Sequence, residues 1–372
     1  MSLYPDIHVL GGGQLGLMLS QAAQNMGIHC HVLDRSVDAV GRRATPYFTQ
    51  GDPQSEAAVL AFAQNAKILT FETEHVSVAA MRELEAQGIF VAPQSSVLEK
   101  IQNKVLQKQF YVSHAIPTAA FTIFDSKEKL SNARLNFPCI QKSALSGYDG
   151  YGVKLLQSET DLKSAFEGLS LVEEKVSIQK ELAIIVARDL SGNIVTYDPV
   201  EMVFDGARNI LLYQIAPARI DSKVAERARE LAIAVSEAFQ ITGLLAVEMF
   251  WTIDDKLLVN EVAPRPHNSG HHTIEAYSIS QYEMLIRILM REKIIQPILR
   301  KSSLMMNILG FETDSETKIR ALTSRAMAHP DVHIHYYGKS DLRAFRKLGH
   351  ITIMADDEKK LIETYRAIRG DA

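Results

Sequence analysis

The chain has little cysteine, little net charge and no long apolar run. Only two of its 372 residues are cysteine, Cys30 and Cys139. Both lie in apolar segments, which favours buried core residues in a reducing compartment over a disulfide framework. A formal net charge of −4 gives no electrostatic footprint for a nucleic acid. No apolar run reaches the roughly 18 residues that span a bilayer, and no secretory signal opens the sequence. We therefore expect a cytoplasmic protein that binds neither nucleic acid nor a membrane.

The composition that is present predicts a globular protein of two or three domains. Residues 1 to about 95 alternate apolar strand-like runs with helical patterns, which is typical of a doubly wound α/β domain. The expected strands are 7–10, 29–33, 68–71 and 89–91, and the expected helices are 14–26, 55–65 and 78–87.

The remainder predicts a mixed architecture built on an antiparallel sheet. A helical segment at 97–114 carries Lys100, Lys104 and Lys108 on one face. Further helices are expected at 222–239, 275–291 and 358–369. The expected strands are 121–124, 138–142 and 152–156, then 171–179, 182–189, 194–203 and 210–217, then a hairpin of 244–253 and 256–262.

The segment GGGQLG fits the dinucleotide-binding fingerprint, with Gly11, Gly13 and Gly16 between a strand and a helix. Asp34 ends the next strand, where an acid would hold the ribose of NAD. A lone match is weak, because the same spacing describes any tight strand-to-helix turn near an anion. A nicotinamide-dependent oxidoreductase is therefore one hypothesis among several.

The hairpin carries two glutamates in register. Pairing centred on the turn Asp254-Asp255 places Glu248 directly opposite Glu261. Like charges set directly opposite destabilise a sheet, and a bound Mg²⁺ would remove that repulsion. The alternative is a slipped register with both glutamates solvated at an edge. Asn260 faces the other side of a regular strand and joins the site only if the strand twists or bulges.

A glycine-rich loop, SALSGYDGYG, follows Lys142. Glycines let backbone N–H groups approach a phosphate closely, and a lysine beside them acts as a point charge on it. The G-K-[ST] ending of the Walker loop is missing, and a mobile surface hairpin is the equally good alternative.

Other charged residues are suggestive only in combination. Glu72 and Glu74 follow a parallel strand at the sheet edge where ligands bind, and the alternative is that one of them caps a helix. A basic cluster lies near the C-terminus, and as single residues its members are better explained as solvated surface charges. Its members are Lys339, Arg346 and Lys347.

In order along the chain, GGGQLG, FETEHV, SGYDGYG, NEVAPRPHNSGH and YGKSDLRAFRKLGH resemble the ATP-grasp ligases. Among these they are most similar to the 5-(carboxyamino)imidazole ribonucleotide synthetases of purine biosynthesis. The resemblance covers nearly the whole chain. It implies an α/β and α+β fold: a Rossmann-like pre-ATP-grasp domain at 1–95, an ATP-grasp domain at 96–295 with a lid at about 115–180, and a small C-terminal domain at 296–372.

The resemblance implies an ATP-dependent carbon–nitrogen ligase. ATP would phosphorylate bicarbonate to carboxyphosphate, and the amine of 5-aminoimidazole ribonucleotide would then be carboxylated with release of ADP and phosphate. It also implies Mg²⁺, for which Mn²⁺ can substitute, and a homodimer.

The resemblance also implies roles for individual residues. The metal would bind Glu248 and Glu261. The residues implied in ATP binding are Lys100, Lys142, Ser146, Gly147, Tyr148, Asp149, Gly150, Glu173, Glu174, Lys175, Val176, Glu181, Asn260 and Glu261. Those implied in nucleotide-substrate binding are Gly13, Gln14, Leu15, Glu74, Asn268, Ser269, Lys339, Arg346 and Lys347. Those implied at the reaction centre are Arg265, His267, Tyr148 and Asp149.

Four positions depart from the family pattern. Leu17 replaces an arginine of the opening loop, Tyr151 and Val153 replace a basic residue and a glutamine of the lid, and Phe345 replaces a glycine. Two alternatives within the fold stay open, a formate-dependent glycinamide ribonucleotide transformylase and a non-catalytic relative. The oxidoreductase hypothesis leaves Glu248 and Glu261 unexplained.

Overall fold

The computed structural model describes residues 4–145, 152–205 and 210–370, which contain three sheets. The first is a five-stranded parallel sheet in the order β3-β2-β1-β4-β5. Its strands are β1 (Ile7–Leu10), β2 (Cys30–Asp34), β3 (Phe48–Gln50), β4 (Ile68–Phe71) and β5 (Phe90–Val91). Its helices are α1 (Gln14–Asn25), α2 (Glu56–Phe62) and α3 (Val78–Ala86). The predicted α/β opening domain is confirmed, and the prediction missed β3, which is short and mostly exposed.

The single helix predicted at 97–114 is wrong. Two helices, α4 (Ser95–Gln102) and α5 (Lys104–Ser113), meet at Asn103. The Asn103 side chain accepts hydrogen bonds from the backbone N–H groups of Val105 and Leu106, which makes it the N-cap of α5. Since the helix restarts there, Lys100 and Lys104 do not lie along one continuous helical face.

The second sheet has four antiparallel strands in the order β6-β9-β7-β8. These are β6 (Phe121–Phe124), β7 (Cys139–Ser143), β8 (Val153–Leu156) and β9 (Ser170–Glu174), with a short helix α6 (Lys127–Ser131). The strand predicted at 171–179 is therefore two strands in two sheets. It breaks at 175–177, because the chain leaves this sheet there and enters the next one at Ile178.

The third sheet is antiparallel and has nine strands in the order β15-β14-β10-β12-β13-β16-β18-β17, with β11 paired to β10. Its central strands are β10 (Ile178–Arg188), β11 (Ile194–Thr196), β12 (Val200–Phe204), β13 (Leu211–Ala216), β14 (Gly243–Thr252) and β15 (Leu257–Ala263). The strand predicted at 194–203 is interrupted before Pro199, which has no N–H to donate to the ladder. The last strands, β16 (Ser302–Leu309), β17 (Val332–Tyr336) and β18 (Lys347–Ala355), extend the same sheet through the β13–β16 pair.

Five helices pack on this sheet or follow it. They are α7 (Ser222–Phe239), α8 (Thr273–Ala276), α9 (Gln281–Leu289), α10 (Ser315–Met327) and α11 (Glu358–Arg369). The predictions of 222–239 and 358–369 are confirmed, and α10 was missed. The helix predicted at 275–291 is interrupted by 277–280, and Ser280 caps α9 by accepting a hydrogen bond from the N–H of Glu283. Across the described ranges, no helix is both long enough and apolar enough to cross a bilayer.

Candidate active site

The β14–β15 hairpin brings the two predicted glutamates together. Glu248 pairs with Glu261 in the ladder, as the sequence predicts. The register shifts immediately beyond, because Met249 pairs with Val259, which leaves Asn260 as the extra residue of a β-bulge. The turn also differs from the prediction. The N–H of Thr252 donates to the carbonyl of Lys256, so the turn has three residues, 253–255, instead of two. The longer turn and the bulge compensate, so the predicted pairing holds at the site.

The bulge brings Asn260 into the site, which the sequence left conditional. The ammonium of Lys142 donates a 2.9 Å hydrogen bond to Asn260 Oδ1. Lys142 lies on β7 of the four-stranded sheet and Asn260 on β15 of the nine-stranded sheet. This contact therefore joins the two sheets on either side of the cleft.

Two more lysines complete the cationic wall of the site. Lys104 forms an ion pair with Glu261. Lys108 and Lys142 both pair with Glu173, at 2.8 and 2.9 Å. Glu173 is 3% exposed, so it holds the two buried lysines in place from beneath. The sequence marked Lys104 and Lys108 by their spacing but assigned neither to the site.

Lys100 lies apart from this group. Its ammonium donates to the carbonyl of Ser96 on its own helix, at 3.0 Å, and it lies 5.8 Å from the ring centre of Phe110. Lys104 is the lysine that reaches the carboxylates, because the break at Asn103 turns α5 toward them. The ATP contact expected of Lys100 stays a prediction, and Lys104 is a further candidate for it because its ammonium lies beside Glu261.

The electrostatics of the glutamates are unequal. The pKa of Glu248 is raised by burial and then by the neighbouring carboxylates of Glu261 and Glu181. The pKa of Glu261 is lowered, chiefly by the ammonium of Lys104. Burial alone raises the pKa of Glu181 to about 7. Ala183 pairs with Glu248, and Glu181 lies two residues before Ala183 on the same strand, so Glu181 and Glu248 share one face of the sheet. Glu261 pairs with Glu248 and lies on that face as well.

That arrangement fits a divalent cation held together with phosphate oxygens. Lys104 forms an ion pair with Glu261, whereas the neighbour of Glu248 at ion-pair distance within the described ranges is the ring of His267, at 3.5 Å. Two protein carboxylates with phosphate oxygens is the usual Mg²⁺ environment in nucleotide sites. The described residues contain no cluster of three or more metal-ligating side chains, so these residues alone do not form a complete metal cage.

The loop after β15 carries the two residues expected at the reaction centre. Arg265 pairs with Glu74 of the opening domain, at 2.8 Å. His267 lies beside Glu248, and its Nδ1 is 2.9 Å from the hydroxyl of Ser269. The structure therefore brings Glu74, which the sequence places at the ligand-binding edge of the parallel sheet, into contact with Arg265 across the domain boundary.

Glu72 has the capping role that the sequence left open. Its carboxylate accepts hydrogen bonds from the N–H groups of Gly13 and Gly16, at 3.0 and 3.1 Å, at the start of α1. A Cβ at Gly13 would lie 2.8 Å from a Glu72 oxygen, so the loop requires glycine there. Asp34 accepts from the N–H of Gly12 at 2.7 Å. The acid expected to hold an NAD ribose is thus engaged by the glycine loop itself.

The C-terminal cations reach different places. Lys339 donates to the side chain of Gln14, at 2.9 Å, which joins the tail to the glycine loop. Arg346 pairs with Asp341 at 2.9 Å, and Lys347 is close enough to lower the pKa of Glu248. The side chain of Leu15 is buried in the core, so only its backbone can contact a ligand.

The remaining predicted ATP contacts lie around the link between the two sheets. Glu174, Lys175 and Val176 line an open pocket of about 780 Å³ together with 136–138. The predicted lid contacts Ser146, Gly147, Tyr148, Asp149 and Gly150, and the departure at Tyr151, lie outside the described residues.

The structure explains the departure at Leu17 but not the one at Phe345. Leu17 is buried in the core between the first domain and α9, where a charged side chain would be desolvated. Phe345 has φ of +62°, a left-handed conformation that favours glycine. The glycine that is usual in the family at this position therefore suits the backbone better than phenylalanine does.

Comparison with known proteins explains this arrangement. Family models match residues 5–102 (ribonucleotide synthetase preATP-grasp domain), 109–282 (ATP-grasp domain) and 303–364 (phosphoribosylaminoimidazole carboxylase C-terminal domain). The N5-carboxyaminoimidazole ribonucleotide synthase of Bacillus subtilis is 33% identical over 97% of this chain and 95% of its own. The chain belongs to the N5-carboxyaminoimidazole ribonucleotide synthase family.

A further relative and two solved structures are similar to nearly the whole chain. The chloroplastic phosphoribosylaminoimidazole carboxylase of Vigna aconitifolia is 36% identical over 94% of this chain, which spans 64% of that relative's length. A crystal structure of an N5-carboxyaminoimidazole ribonucleotide synthetase with ADP superposes with a TM-score of 0.91, 30% identity and coverage of 99% and 97% of the two chains. A synthase from Aspergillus clavatus, in complex with ADP and 5-aminoimidazole ribonucleotide, superposes with a TM-score of 0.90 at 29% identity. The match covers 98% of this chain and 97% of that one.

Proposed function

We propose that the protein is an ATP-dependent carbon–nitrogen ligase that carboxylates the amine of 5-aminoimidazole ribonucleotide in de novo purine biosynthesis. The observation that carries the proposal is the Glu248–Glu261 pair, set between a lysine-lined cleft and the Arg265–Glu74 contact. Family membership supports the same activity, because the relatives named above are synthases of this product.

The first step transfers the γ-phosphoryl group of ATP to an oxygen of bicarbonate, which forms carboxyphosphate and ADP. Such a transfer depends on positioning and charge neutralisation rather than on a protein nucleophile. A Mg²⁺ ion on Glu248 and Glu261 would neutralise phosphate charge. Lys104 and Lys142 present their ammonium groups beside this pair, and Glu173 keeps Lys142 in place.

In the second step the substrate amine attacks the carboxyl carbon, the carbon–oxygen bond to phosphate breaks, and the amine loses a proton. Arg265 and His267 would face the reacting carboxyl group. The contact of Arg265 with Glu74 and that of His267 with Glu248 fix their positions. We assign the nucleotide substrate to the space between the glycine loop and Lys339, whose contact with Gln14 marks the join. Water must be excluded during this step, because carboxyphosphate is short-lived.

The localisation, the oligomeric state, the metal and the domain bounds are inferred from the family. We propose a cytoplasmic homodimer that uses Mg²⁺ and bicarbonate, with domains at 1–95, 96–295 and 296–372. Sedimentation analysis of the purified protein tests the dimer directly.

The decisive experiment measures ADP release from Mg-ATP while 5-aminoimidazole ribonucleotide and bicarbonate are each left out in turn. We expect ADP release that requires bicarbonate and is stimulated by the nucleotide. No stimulation by the nucleotide would contradict the proposal. Glycinamide ribonucleotide with formate is the matched control, because it is the substrate pair of the sister ligase, and it should give no stimulation.

A further inference from the structure

The strands β13, β16 and β18 have two unlike faces. One face is apolar and packs against α10 and α11, and its residues include Leu304, Met306, Ile308, Ile351 and Ile353. The other face is equally buried and mostly polar. Its polar residues are Gln214, Ser303, Asn307, His350 and Thr352, each at most 6% exposed. In the ladder Asn307 pairs with His350, two residues before Thr352 on β18, whereas the buried apolar Met305 lies between Gln214 and Thr352.

The segment that carries the reaction centre covers this polar face. Gln214 Nε2 donates to the carbonyl of Ser269 at 2.8 Å and lies 3.1 Å from His272 Nδ1. The ring of His271 stacks on His350 with centres 4.7 Å apart. Residues 269–272 and the C-terminal strands therefore enclose a polar layer, here defined by the five face residues and His272.

Several polar atoms in this layer have no hydrogen-bond partner among the described residues. They are Gln214 Oε1, His272 Nε2, Ser303 Oγ, Asn307 Oδ1 and Nδ2, His350 Nε2 and Thr352 Oγ1. Each unsatisfied buried group costs roughly 1–3 kcal/mol, and native proteins leave very few of them unpaired. Atoms from both walls of the layer share this lack, which indicates partners that the described residues do not supply.

The chemistry of these atoms selects the partners. Gln214 Nε2 is fixed as a donor by the Ser269 carbonyl, so His272 Nδ1 accepts and its Nε2 carries the proton. The layer therefore offers donors, such as His272 Nε2, together with acceptors, such as Gln214 Oε1. An anion would require donors alone. Burial lowers the pKa of His272 to about 4 and that of His350 well below its ordinary value, so the histidines are neutral and supply no charge to hold an anion.

We propose that the polar layer is a binding site for ordered water molecules, which bridge the reaction-centre segment to β13, β16 and β18. Water both donates and accepts, which matches the mixed atoms of the two walls. Buried waters of this kind typically make about three hydrogen bonds and belong to the structure. The segment 269–272 is then held in place through water as well as through Gln214.

Thr352→Val provides a test whose sign decides the question. Valine has the shape of threonine and suits a strand equally well, so the change removes only the hydroxyl. If the hydroxyl binds water, Tm should fall by about 1–3 °C, whereas an unsatisfied hydroxyl replaced by a methyl should leave Tm unchanged or raise it. Thr323→Val is the matched control, because the Thr323 hydroxyl donates to the Ile319 carbonyl at 2.9 Å, and its loss should lower Tm by a similar amount.

A crystal structure of the wild-type protein at high resolution gives the independent readout. We expect water peaks at hydrogen-bonding distance from Thr352 Oγ1 and from the Asn307 amide, and loss of the first peak in Thr352→Val. A layer without water peaks, together with an unchanged or raised Tm in that variant, would overturn the proposal. Neither measurement depends on the enzymatic activity.

Discussion

Glu72 is buried and Glu248 is partly buried, and both carboxylates have a raised pKa, yet the causes and the consequences differ. Burial raises the pKa of Glu72 to about 7, while the N–H groups of Gly13 and Gly16 act in the opposite direction. Burial also raises the pKa of Glu248, and the neighbouring carboxylate of Glu261 raises it further. A carboxylate that its own chain satisfies is part of the fold, whereas one that faces a second carboxylate is a candidate cation ligand.

The comparison shows why a perturbed carboxylate alone does not identify a functional site. Glu72 lies at a strand end and Glu248 lies in a strand that faces the cleft. Both side chains are largely shielded from solvent. The partners separate them, because backbone N–H donors at a helix start make a cap, and opposed acids on one sheet face make a cation site. Perturbed residues therefore need their neighbours before a function is assigned.

The largest expected effect is on Glu248→Gln. This change removes a metal ligand but keeps the shape of the side chain, so we expect ADP release to fall roughly 10³-fold, since metal charge stabilisation is worth several kcal/mol. The assay is ADP formation at saturating Mg-ATP, bicarbonate and nucleotide. Glu72→Gln should lose no more than about tenfold, because that carboxylate supports a loop instead of a ligand.

Glu201→Gln is the matched control for that comparison. Glu201 is also a buried glutamate of the nine-stranded sheet, but it pairs with Lys180 and Arg219 on the opposite face. The variant should lose stability and keep its ADP release. If Glu248→Gln and Glu201→Gln behave alike, the metal assignment is wrong.

The pH dependence of stability tests Glu72 separately. Its folded pKa of about 7 lies above the ordinary value of 4.5, so the folded state binds the proton more tightly than the unfolded state. The stability from this group is complete below about pH 4.5 and is lost as pH rises through about 7. The free energy of unfolding of the wild type minus that of Glu72→Gln should fall by on the order of 3 kcal/mol between pH 4.5 and 8.

Denaturant unfolding of both proteins across that range is the measurement. The subtraction removes the other groups that titrate in the same window, notably Glu181. A difference that stays flat with pH would show that the two N–H donors offset burial, and that Glu72 is ionised throughout.

Elements with local signals were predictable from the sequence. The α7 and α11 helices begin after the capping residues Asp221 and Asp357 and end at left-handed residues, all of which short-range patterns indicate. The Glu248–Glu261 pairing was also predictable, although it holds because the bulge at Asn260 compensates a longer turn. A bulge depends on what the extra residue contacts, here Lys142 on another sheet, and no local pattern encodes that.

Long-range placement was not predictable. The prediction of a separate C-terminal domain gave no sign that β16 would pair with β13 and continue the large sheet. The prediction of one helix across 97–114 was wrong for a smaller reason, because Asn103 is compatible with a helix interior by propensity but acts as a cap in this fold. Several residues that the family resemblance implies at the site still lie together despite these errors, among them Glu248, Glu261 and His267.

The smallest expected effect concerns Asp34, which separates the two uses of the glycine loop. As the acceptor for the N–H groups of Gly12 and Ser36, at 2.7 and 2.8 Å, it should stabilise the loop modestly. Asp34→Asn should lower Tm by about 1–3 °C and leave the KM for the nucleotide substrate within about twofold, while the exposed neighbour Asp38→Asn should change neither. A dehydrogenase would instead lose NAD affinity with the acid that holds the ribose. Titration of the wild type with NAD should therefore show no binding, and binding that Asp34→Asn abolishes would reverse the assignment of this loop.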